Sequence, residues 1–246
     1  MIRTGLVSIS FRGLSPEEIV QEMVKCGLKY VEWGSDVHAP CTDTARLEQI
    51  VALQKQYGIT CCSYGTYFRL GFTPIEELPD YICAAKLLGT KTLRLWAGKK
   101  RADIMTPEER DAFFDMCRQA AKIAEDAGVV LCMECHRNSY TETKDGALEL
   151  MQAVNSPAFR MYWQPNQTLE ENMEYIQALL PYIDNLHVFY MKEQSRYPLS
   201  TGEEEWKTYL RQFTGDRAAL LEGMPDRRIE SLPAEAESLR RIAAAF

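Results

Sequence analysis

Residues 106–136, TPEERDAFFDMCRQAAKIAEDAGVVLCMECH, contain the unit on which the prediction of the fold rests. The segment begins with Thr106-Pro-Glu-Glu, a typical helix start with a hydroxyl cap and proline in the first turn. An amphipathic stretch follows and reaches Gly128, where a left-handed residue is expected to end the helix. The next residues are apolar up to Glu134, as in parallel strands that are covered on both faces. The segment therefore predicts a helix followed by a buried strand.

The same unit recurs along the whole chain. Eight short apolar runs are predicted as strands, at residues 5–10, 30–33, 59–64, 92–96, 129–134, 159–163, 185–190 and 218–222. Amphipathic segments are predicted as helices near residues 15–26, 43–57, 75–88, 106–127, 144–154, 169–182, 203–213 and 232–245. Regular alternation of strand and helix is typical of α/β proteins with a parallel sheet.

Eight such units in about 250 residues match the size of a (β/α)8 TIM barrel. The alternative is an open, doubly wound sheet with a similar number of units. No GxGxxG or P-loop motif follows the first predicted strand, which weakens that alternative. No linker rich in Pro, Gly or Ser divides the chain, so residues 1–246 are predicted to form a single α/β domain, a (β/α)8 barrel.

Composition excludes several classes of protein. The 246 residues are 46% hydrophobic and 26% charged, as in ordinary globular domains. The net charge is −7 and no basic run stands out, so nucleic acid is not an expected partner. No apolar stretch approaches the ~20 residues that span a bilayer, and the first ten residues, MIRTGLVSIS, do not resemble a signal peptide. The sequence therefore predicts a cytoplasmic protein with no membrane partner.

The eight cysteines are interpreted as reduced thiols rather than as a zinc site or a disulfide framework. Cys132 and Cys135 are the one pair that is spaced as CxxC. They lie in a predicted strand, where alternation places them on opposite faces, and this disfavours a dithiol site.

The carboxyl ends of the strands form the active site in barrels of this kind. Glu134, His187 and Glu222 each interrupt an apolar run near such an end, where an unpaired charge is costly to bury. Gln164 follows the sixth predicted strand and adds an amide oxygen. Carboxylate and amide oxygens with one imidazole suit Mn²⁺ or Mg²⁺, with Co²⁺ or Zn²⁺ as alternatives. The four residues are therefore predicted to bind a divalent metal ion, rather than to make ordinary hydrogen bonds at the rim.

Four more side chains are candidates for binding substrate. His136 lies two residues after Glu134 and so faces the same side of its strand, where it binds substrate, orients the glutamate or is an ordinary hydrogen-bonded rim histidine. Arg94 interrupts an apolar strand, where it either neutralises a carboxylate or holds an anionic or hydroxyl-rich substrate. Tyr64 and Trp96 close their strands, as aromatic walls for a sugar or as ordinary core residues. The expected partner is a small sugar-like molecule, and the sequence is compatible with a homo-oligomer.

These residues give the chain a resemblance to the xylose isomerase-like TIM barrels, also called the sugar phosphate isomerase/epimerase superfamily. The resemblance covers essentially the whole chain. Its motifs are VSISFRG at residues 7–13, YVE at 30–32, LRLWAG at 93–98, ECH at 134–136 and LHV at 186–188. It implies a metal-dependent isomerase or epimerase of small sugars. It also implies one metal ligand from each of strands five to eight, namely Glu134, Gln164, His187 and Glu222.

By the same resemblance, Glu134 and Glu222 are the catalytic residues and exchange a proton on opposite faces of the substrate. The metal ion polarises the substrate carbonyl as a Lewis acid. Two positions depart from the family pattern. Gln164 stands where relatives usually have Asp, so the site keeps two carboxylates and is expected to hold an ion less tightly. Phe189 stands where many relatives have Lys, which argues against proton transfer at that position.

Two alternatives to an isomerase or epimerase stay open from the sequence. A dehydratase is the first, because residues 8–12, SISFR, and residues 134–143 are also similar to the dehydroshikimate dehydratase branch. That reaction likewise begins with removal of a proton next to a carbonyl. The second is a non-catalytic sugar-binding barrel whose metal site is weakened at Gln164. An endonuclease of the same family is disfavoured, because an acidic chain with three histidines lacks its multi-metal cluster and phosphate-binding groove.

Overall fold

Eight parallel strands close into a barrel in the computed structural model, which describes residues 1–166 and 168–246. The barrel strands are β1 (Ile2–Val7), β2 (Tyr30–Gly34), β3 (Thr60–Arg69), β4 (Thr92–Trp96), β5 (Val130–Glu134), β6 (Phe159–Trp163), β7 (Ile183–Val188) and β10 (Arg217–Leu221). Between the last two lies an antiparallel hairpin of β8 (Tyr190–Lys192) and β9 (Ser195–Tyr197). Each barrel strand pairs with its neighbour in the chain, and β1 pairs with β10 to close the sheet.

Over the same two described ranges, eight α-helices connect or follow the barrel strands. They are α1 (Pro16–Lys25), α2 (Thr44–Tyr57), α3 (Leu78–Leu87), α4 (Pro107–Ala127), α5 (Lys144–Val154), α6 (Leu169–Leu179), α7 (Glu203–Leu210) and α8 (Leu232–Ala243). The prediction of a single (β/α)8 barrel is confirmed. In the part of the chain that the structure describes, no helix combines the length and the apolar character that crossing a bilayer requires.

The predicted starts of α1 and α4 and the predicted end of α4 are confirmed at atomic detail. Ser15 accepts a hydrogen bond from the backbone of Glu18, whose carboxylate accepts one from the backbone of Ser15. Thr106 and Glu109 form the same capping box at the start of α4. Gly128 ends α4 in the left-handed region, with φ at +67°. These local signals set where α1 begins and where α4 begins and ends.

The interior of the barrel is apolar at its middle and polar above it. The inner cluster of buried residues consists of Val7, Cys132, Tyr162, Ala218 and Leu220. Alternation along β5 and β10 places the next inward positions two residues further on, where the sequence has acidic side chains. The larger cluster packs between the barrel and the helices and includes Cys135. Cys132 and Cys135 thus lie on opposite sides of the sheet, and all eight cysteines are free thiols.

Three strands differ from their predicted bounds by more than one residue. β1 ends at Val7 because the chain then turns into a short 3-10 helix, in which Ser8 accepts a hydrogen bond from the backbone of Gly34. β3 continues to Arg69 and pairs there with Trp96. The predicted strand 185–190 is two elements, β7 and the start of the hairpin.

Candidate functional site

Four buried charged side chains meet near the carboxyl ends of β2, β4, β5 and β7. Glu32 and His187 have no exposed surface, and Arg94 and Glu134 are 1% and 3% exposed. Burial of a charge costs free energy unless the charge is paired and hydrogen-bonded. The contacts among these four groups therefore determine what the site can do.

Arg94 lies between two carboxylates. Its Nε donates to Glu32 Oε1 at 3.3 Å, and its Nη1 is 3.2 Å from Glu134 Oε2 and donates to Thr66 O at 3.2 Å. Trp96 Nε1 donates to the same Oε2 of Glu134 at 2.5 Å. One oxygen of Glu134 is thus engaged by two donors, and its other oxygen, Oε1, points to a different neighbour.

That neighbour is His187. Its Nδ1 lies 3.4 Å from Glu134 Oε1 and 3.8 Å from Glu222 Oε2, and its Nε2 lies 3.3 Å from Glu32 Oε1. Both ring nitrogens are buried, and neither makes a hydrogen bond of normal geometry to any residue that the structure describes. An imidazole nitrogen that faces two carboxylates without a hydrogen bond is an arrangement that suits a cation between them.

Charge interactions set the protonation of this cluster. Burial alone would raise the pKa of Glu32 and Glu134, but the charges of His187 and Arg94 outweigh it and lower the pKa of each carboxyl to about 2. Burial would likewise lower the pKa of His187, but Glu222 and Glu32 raise it to about 10. These carboxylates therefore favour the protonated imidazole while no metal is bound, and a metal ion that binds the ring would replace that proton.

Glu134, His187 and Glu222 fit the role of metal ligands. Each offers one ligand atom, and these atoms lie within 4.8 Å of one another. Atoms bound ~2.1 Å from a single ion lie within ~4 Å of each other, so small side-chain movements would complete the site. Two carboxylates and one imidazole are ligands that both Mn²⁺ and Zn²⁺ accept.

Gln164 adds a neutral oxygen next to these ligands. Its Nε2 donates to Cys135 O at 3.0 Å. Its Oε1 is buried and accepts no hydrogen bond from the described part of the chain. Because Gln164 lines the same cavity as Glu134 and Glu222, this oxygen is available as a fourth ligand.

A cavity of about 300 Å³ opens at the mouth of the barrel, a size typical of a small-molecule site. Trp96 forms one wall, with Tyr67 edge-on at 5.0 Å between ring centroids and His136 at 5.5 Å. The other lining residues are Ile9, Arg94, Glu134, Arg137, Gln164, Asn166, Phe189, Met191, Arg196 and Glu222. The cavity is thus lined by three of the four predicted metal ligands, Glu134, Gln164 and Glu222. It is also lined by three of the four predicted substrate-binding residues, Arg94, Trp96 and His136.

Tyr64 is the fourth predicted substrate-binding residue, and it does not line the cavity. Its side chain has no exposed surface, and its hydroxyl donates to Ala39 O at 2.6 Å. Its ring lies 6.4 Å from the ring of Tyr81. Tyr64 therefore packs on the outer side of the sheet, and not at the cavity.

Sequence reasoning missed Glu32, Arg137 and Arg196 at this site, although Arg137 directly follows the predicted His136. Glu32 interrupts the run YVEWG just as Glu134 interrupts its own strand, so the same signal could have included it. Arg196 reaches the cavity from β9, and its Nη1 donates to the carbonyl oxygens of Glu222 and, at 2.8 Å, Gly223. Its guanidinium lies 4.2 Å from the ring centroid of Phe189. No sequence pattern indicated the hairpin that carries Arg196.

Fold and site together define a (β/α)8 barrel with an acidic and histidine-containing centre at its mouth. Residues 20–242 match the model of the xylose isomerase-like TIM barrel family, and the chain belongs to that family. The resemblance inferred from the sequence is thus confirmed.

Similar proteins include a dehydratase and an epimerase. A 3-dehydroshikimate dehydratase from Bacillus anthracis is 23% identical over 203 residues, which are 76% of this chain and 71% of the relative. The crystal structure of the probable 3-DHS dehydratase AsbF from Bacillus anthracis has a TM-score of 0.82 at 20% identity, covering 98% of this chain and 99% of that one. D-psicose 3-epimerase from Clostridium cellulolyticum H10 has a TM-score of 0.74 at 13% identity, covering 98% of both chains. The IolI protein with a bound zinc atom has a TM-score of 0.76 at 14% identity, covering 99% of both chains.

Proposed function

We propose that the protein is a divalent-metal-dependent dehydratase of a small hydroxy-keto carboxylic acid of the 3-dehydroshikimate type. The observation that carries this proposal is the charge at the cavity. Arg137 and Arg196 line it, and neither has a carboxylate within 4.0 Å in the described parts of the chain. A carboxylate on the substrate would pair with these guanidinium groups, whereas a neutral sugar would not. The similarity to a 3-dehydroshikimate dehydratase supports the same substrate class.

The metal ligands in this proposal are Glu134, His187 and Glu222, with Gln164 as a neutral fourth. A bound divalent ion would supply Lewis-acid polarisation of the substrate carbonyl. Carboxylate and amide oxygens favour Mn²⁺ or Mg²⁺, and the imidazole also admits Zn²⁺ or Co²⁺. Because Gln164 brings no charge, we expect the ion to be held less tightly than by three carboxylates.

Glu222 is the residue that we assign to removing the proton next to the carbonyl. Its side chain is 15% exposed and lines the cavity, whereas Glu134 is engaged by Trp96 and Arg94. In the elimination, the electron pair of the broken C–H bond forms the new C=C bond. The hydroxyl on the adjacent carbon then takes up a proton and leaves as water. His136, on the cavity wall, is assigned to hold the substrate near that leaving group.

Epimerisation of a small sugar is the second candidate function. It is favoured by one observation, since Glu134 Oε1 and Glu222 Oε2 both face His187 Nδ1, at 3.4 and 3.8 Å. Two carboxylates beside one position are what proton exchange on the two faces of a substrate needs. In this case Arg94, Trp96 and His136 would hold hydroxyl groups.

Two assays separate the candidates. The full chain, saturated with Mn²⁺ or Mg²⁺, is incubated with 3-dehydroshikimate, and formation of an aromatic product is followed in the ultraviolet. In parallel, it is incubated with D-psicose or D-tagatose in D2O, and deuterium incorporation is followed. Aromatic product without deuterium exchange into the sugars is the expected result. Deuterium exchange without aromatic product would favour the epimerase. The absence of both exchange and aromatic product would favour a sugar-binding barrel without catalysis.

Two variants test the assigned roles. Arg196→Gln is expected to raise KM at least ~10-fold with a smaller change in kcat, because it removes a contact to the substrate carboxylate. Arg211→Gln, an exposed arginine outside the cavity lining, should leave both constants unchanged. Glu222→Gln is expected to lower kcat at least ~100-fold. Equal KM values for Arg196→Gln and Arg211→Gln would contradict the proposed recognition of an anion.

A further inference from the structure

A second cavity, of about 600 Å³, lies at the end of the barrel opposite to the candidate active site. It is formed by residues at the amino ends of strands and in the loops that lead into them. We call it the basal cavity, and the residues that define it here are Arg3, Lys91, Arg160, Asp184, Asn185 and Arg217. Four of these six side chains are cationic, in a chain whose net charge is −7.

Ion pairs neutralise both of the acidic side chains that line the basal cavity. Asp184 Oδ1 accepts hydrogen bonds from Arg160 Nε at 3.1 Å and from Arg160 Nη2 at 3.0 Å. Asp216 accepts a hydrogen bond from the amino group of Met1 at 2.8 Å. Each carboxylate is thus paired directly with another cation, and it attracts the remaining cations only over a longer distance, Asp184 acting on Arg217 and Asp216 on Arg3.

Those remaining cations are Arg3, Lys91 and Arg217. Within the described residues, none of the three has a carboxylate within 4.0 Å of a side-chain nitrogen. Three like charges around one cavity repel each other, and this repulsion is unfavourable unless an anion lies between them. The cavity thus has a local excess of positive charge.

Arg217 is the most informative of these side chains, since it is only 8% exposed. Its Nη1 donates to Ile183 O at 3.0 Å and its Nη2 to Thr214 O at 2.7 Å. Its Nε is buried and has no hydrogen-bond partner among the described residues, and the same holds for Arg3 Nε. Burial lowers the pKa of the Arg217 guanidinium, which reflects the cost of holding this charge away from water.

Neutral groups at the cavity are arranged to donate as well. Asn185 is 5% exposed, and its Oδ1 accepts a hydrogen bond from Ala218 N at 2.9 Å. This orientation of the amide leaves the Nδ2 hydrogens for another partner. A ligand in this cavity therefore meets guanidinium, ammonium and amide donors, a set that selects a group with several acceptor oxygens and more than one negative charge.

We propose that the basal cavity binds a phosphate group, either as inorganic phosphate or as part of a phosphate monoester. A phosphate dianion offers more strong acceptors than a single carboxylate to the donors that line this cavity, which are Arg3, Lys91, Arg217 and Asn185. The cavity is also larger than inorganic phosphate requires, so the organic part of an ester has room. Bound phosphate would link β1 to β10, the two strands whose pairing closes the barrel.

Calorimetric titration of the full chain tests this proposal. Inorganic phosphate and glycerol 3-phosphate are each titrated near neutral pH at constant ionic strength. We expect binding of one equivalent, weakened ~10-fold in Lys91→Gln and in Arg3→Gln, because each loses one charge-assisted contact. Arg217 is left intact, because its hydrogen bonds also hold two backbone carbonyls. Lys55→Gln, an exposed lysine on α2, is the matched control and should bind phosphate as tightly as the unchanged protein.

Three results would overturn the proposal. One is the absence of binding at millimolar phosphate. Another is equal weakening in Lys55→Gln, which would mean general charge screening. The third is loss of binding in Arg196→Gln with normal binding in Lys91→Gln, which would place phosphate at the barrel mouth. Tighter binding of glycerol 3-phosphate would identify an ester as the preferred form, and equal affinity would identify the phosphate group alone; both support the site.

Discussion

The two carboxylate oxygens of Glu134 have different neighbours and different roles. Oε2 accepts a hydrogen bond from Trp96 and lies 3.2 Å from Arg94, while Oε1 faces His187. The first pair of contacts fixes the orientation of the carboxylate and keeps it ionised. The second leaves an oxygen directed at the place where a metal ion fits. Trp96 thereby contributes to the proposed site through its indole nitrogen, as well as through its ring.

The charge of the proposed metal site can be changed at one position. Gln164→Asp adds a third carboxylate beside Glu134 and Glu222, so we expect Mn²⁺ to bind at least ~10-fold more tightly. Asn166→Asp is the control, because it makes the same change of charge in the same cavity at a residue that is not a proposed ligand. Titration with Mn²⁺, followed by electron paramagnetic resonance, measures both affinities. Equal gains in the two variants would show a general charge effect and would argue against Gln164 as a ligand.

His38 is expected to make stability depend on pH. It is 1% exposed, Nε2 lies 3.1 Å from Leu14 O and Nδ1 lies 2.9 Å from Ser8 Oγ. Since a carbonyl only accepts, Nε2 carries a hydrogen, and the Ser8 hydroxyl, which already accepts from the Gly34 backbone, can donate its own hydrogen to Nδ1 of a neutral ring. Burial lowers the pKa of His38 in the folded protein. The unfolded chain therefore takes up a proton that the folded chain does not, and stability decreases as pH falls below ~6.5.

Urea unfolding of the unchanged protein and of His38→Gln measures this contribution. The variant is expected to be less stable at neutral pH, because it loses hydrogen bonds. Between pH ~7.5 and ~5.5, however, its free energy of unfolding should fall less steeply than that of the unchanged protein. Parallel slopes would mean that His38 has the same pKa in the folded and unfolded states.

At the scale of elements, an irregularity in one strand explains the position of Tyr64. Val31 of β2 pairs with Cys61 of β3, but the next residue, Glu32, pairs with Ser63. The extra residue in β3 shifts the alternation of side chains beyond it by one position. Tyr64 therefore faces away from the cavity, although it stands near the predicted strand end. A bulge of this kind leaves no signal in an apolar run, so the sequence could not reveal it.

The hairpin that carries Arg196 was not predicted from the sequence, for a different reason. Lys192 pairs with Ser195, so Glu193 and Gln194 form a two-residue turn, with φ values of +47° and +64°. Such turns normally have Asn-Gly or Asp-Gly, because most other residues are strained at positive φ. With Glu-Gln at the turn, the sequence lacks the usual hairpin signal. Glu134, His187 and Glu222 were predictable by contrast, because a charged group inside an apolar run is visible without knowledge of the turns.

Relief of this strain should stabilise the protein. Replacing Glu193 and Gln194 with Asn and Gly matches the turn type, and we expect the free energy of unfolding to rise by ~1 kcal/mol. Thermal unfolding monitored by circular dichroism measures the change. Gln194→Ala is the control, since alanine at positive φ gives no relief. A gain in the control as large as in the Asn-Gly variant would show that backbone strain is not the cause.

At the scale of the whole molecule, closure of the barrel depends on close packing around Gly5. A β-carbon at Gly5 would lie 2.0 Å from Tyr30 O and 2.6 Å from Leu220 Cδ2. Tyr30 and Leu220 belong to β2 and β10, the two strands that flank β1. The backbone of β1 can therefore complete the ring of strands only where no side chain is present.

Gly5→Ala is expected to destabilise the fold by at least ~2 kcal/mol, because two strands would have to move apart. Gly13→Ala is the matched control, since a β-carbon there meets no atom within 4 Å. Urea unfolding of both variants gives the comparison. A Gly5→Ala protein as stable as the Gly13→Ala protein would mean that the barrel adjusts at this point without cost.

The number of units and the order of the strands followed from the sequence, because regular alternation of apolar runs and capped helices is a local signal that repeats. The basal cavity did not, because its cations come from distant segments, at Arg3, Lys91, Arg160 and Arg217. Only closure of the strands brings these segments together. Short-range sequence patterns cannot reveal a cluster of charges that forms only when the barrel closes.

Pairing of β1 with β10 also determines when the barrel can close during translation. β1 is translated long before β10, so in a growing chain one edge of β1 stays uncovered until β10 has been made. Glu222 directly follows β10, and the centre at the barrel mouth is therefore assembled in the same late event. A chain that ended before β10 would have neither a closed sheet nor Glu222, one of the proposed metal ligands.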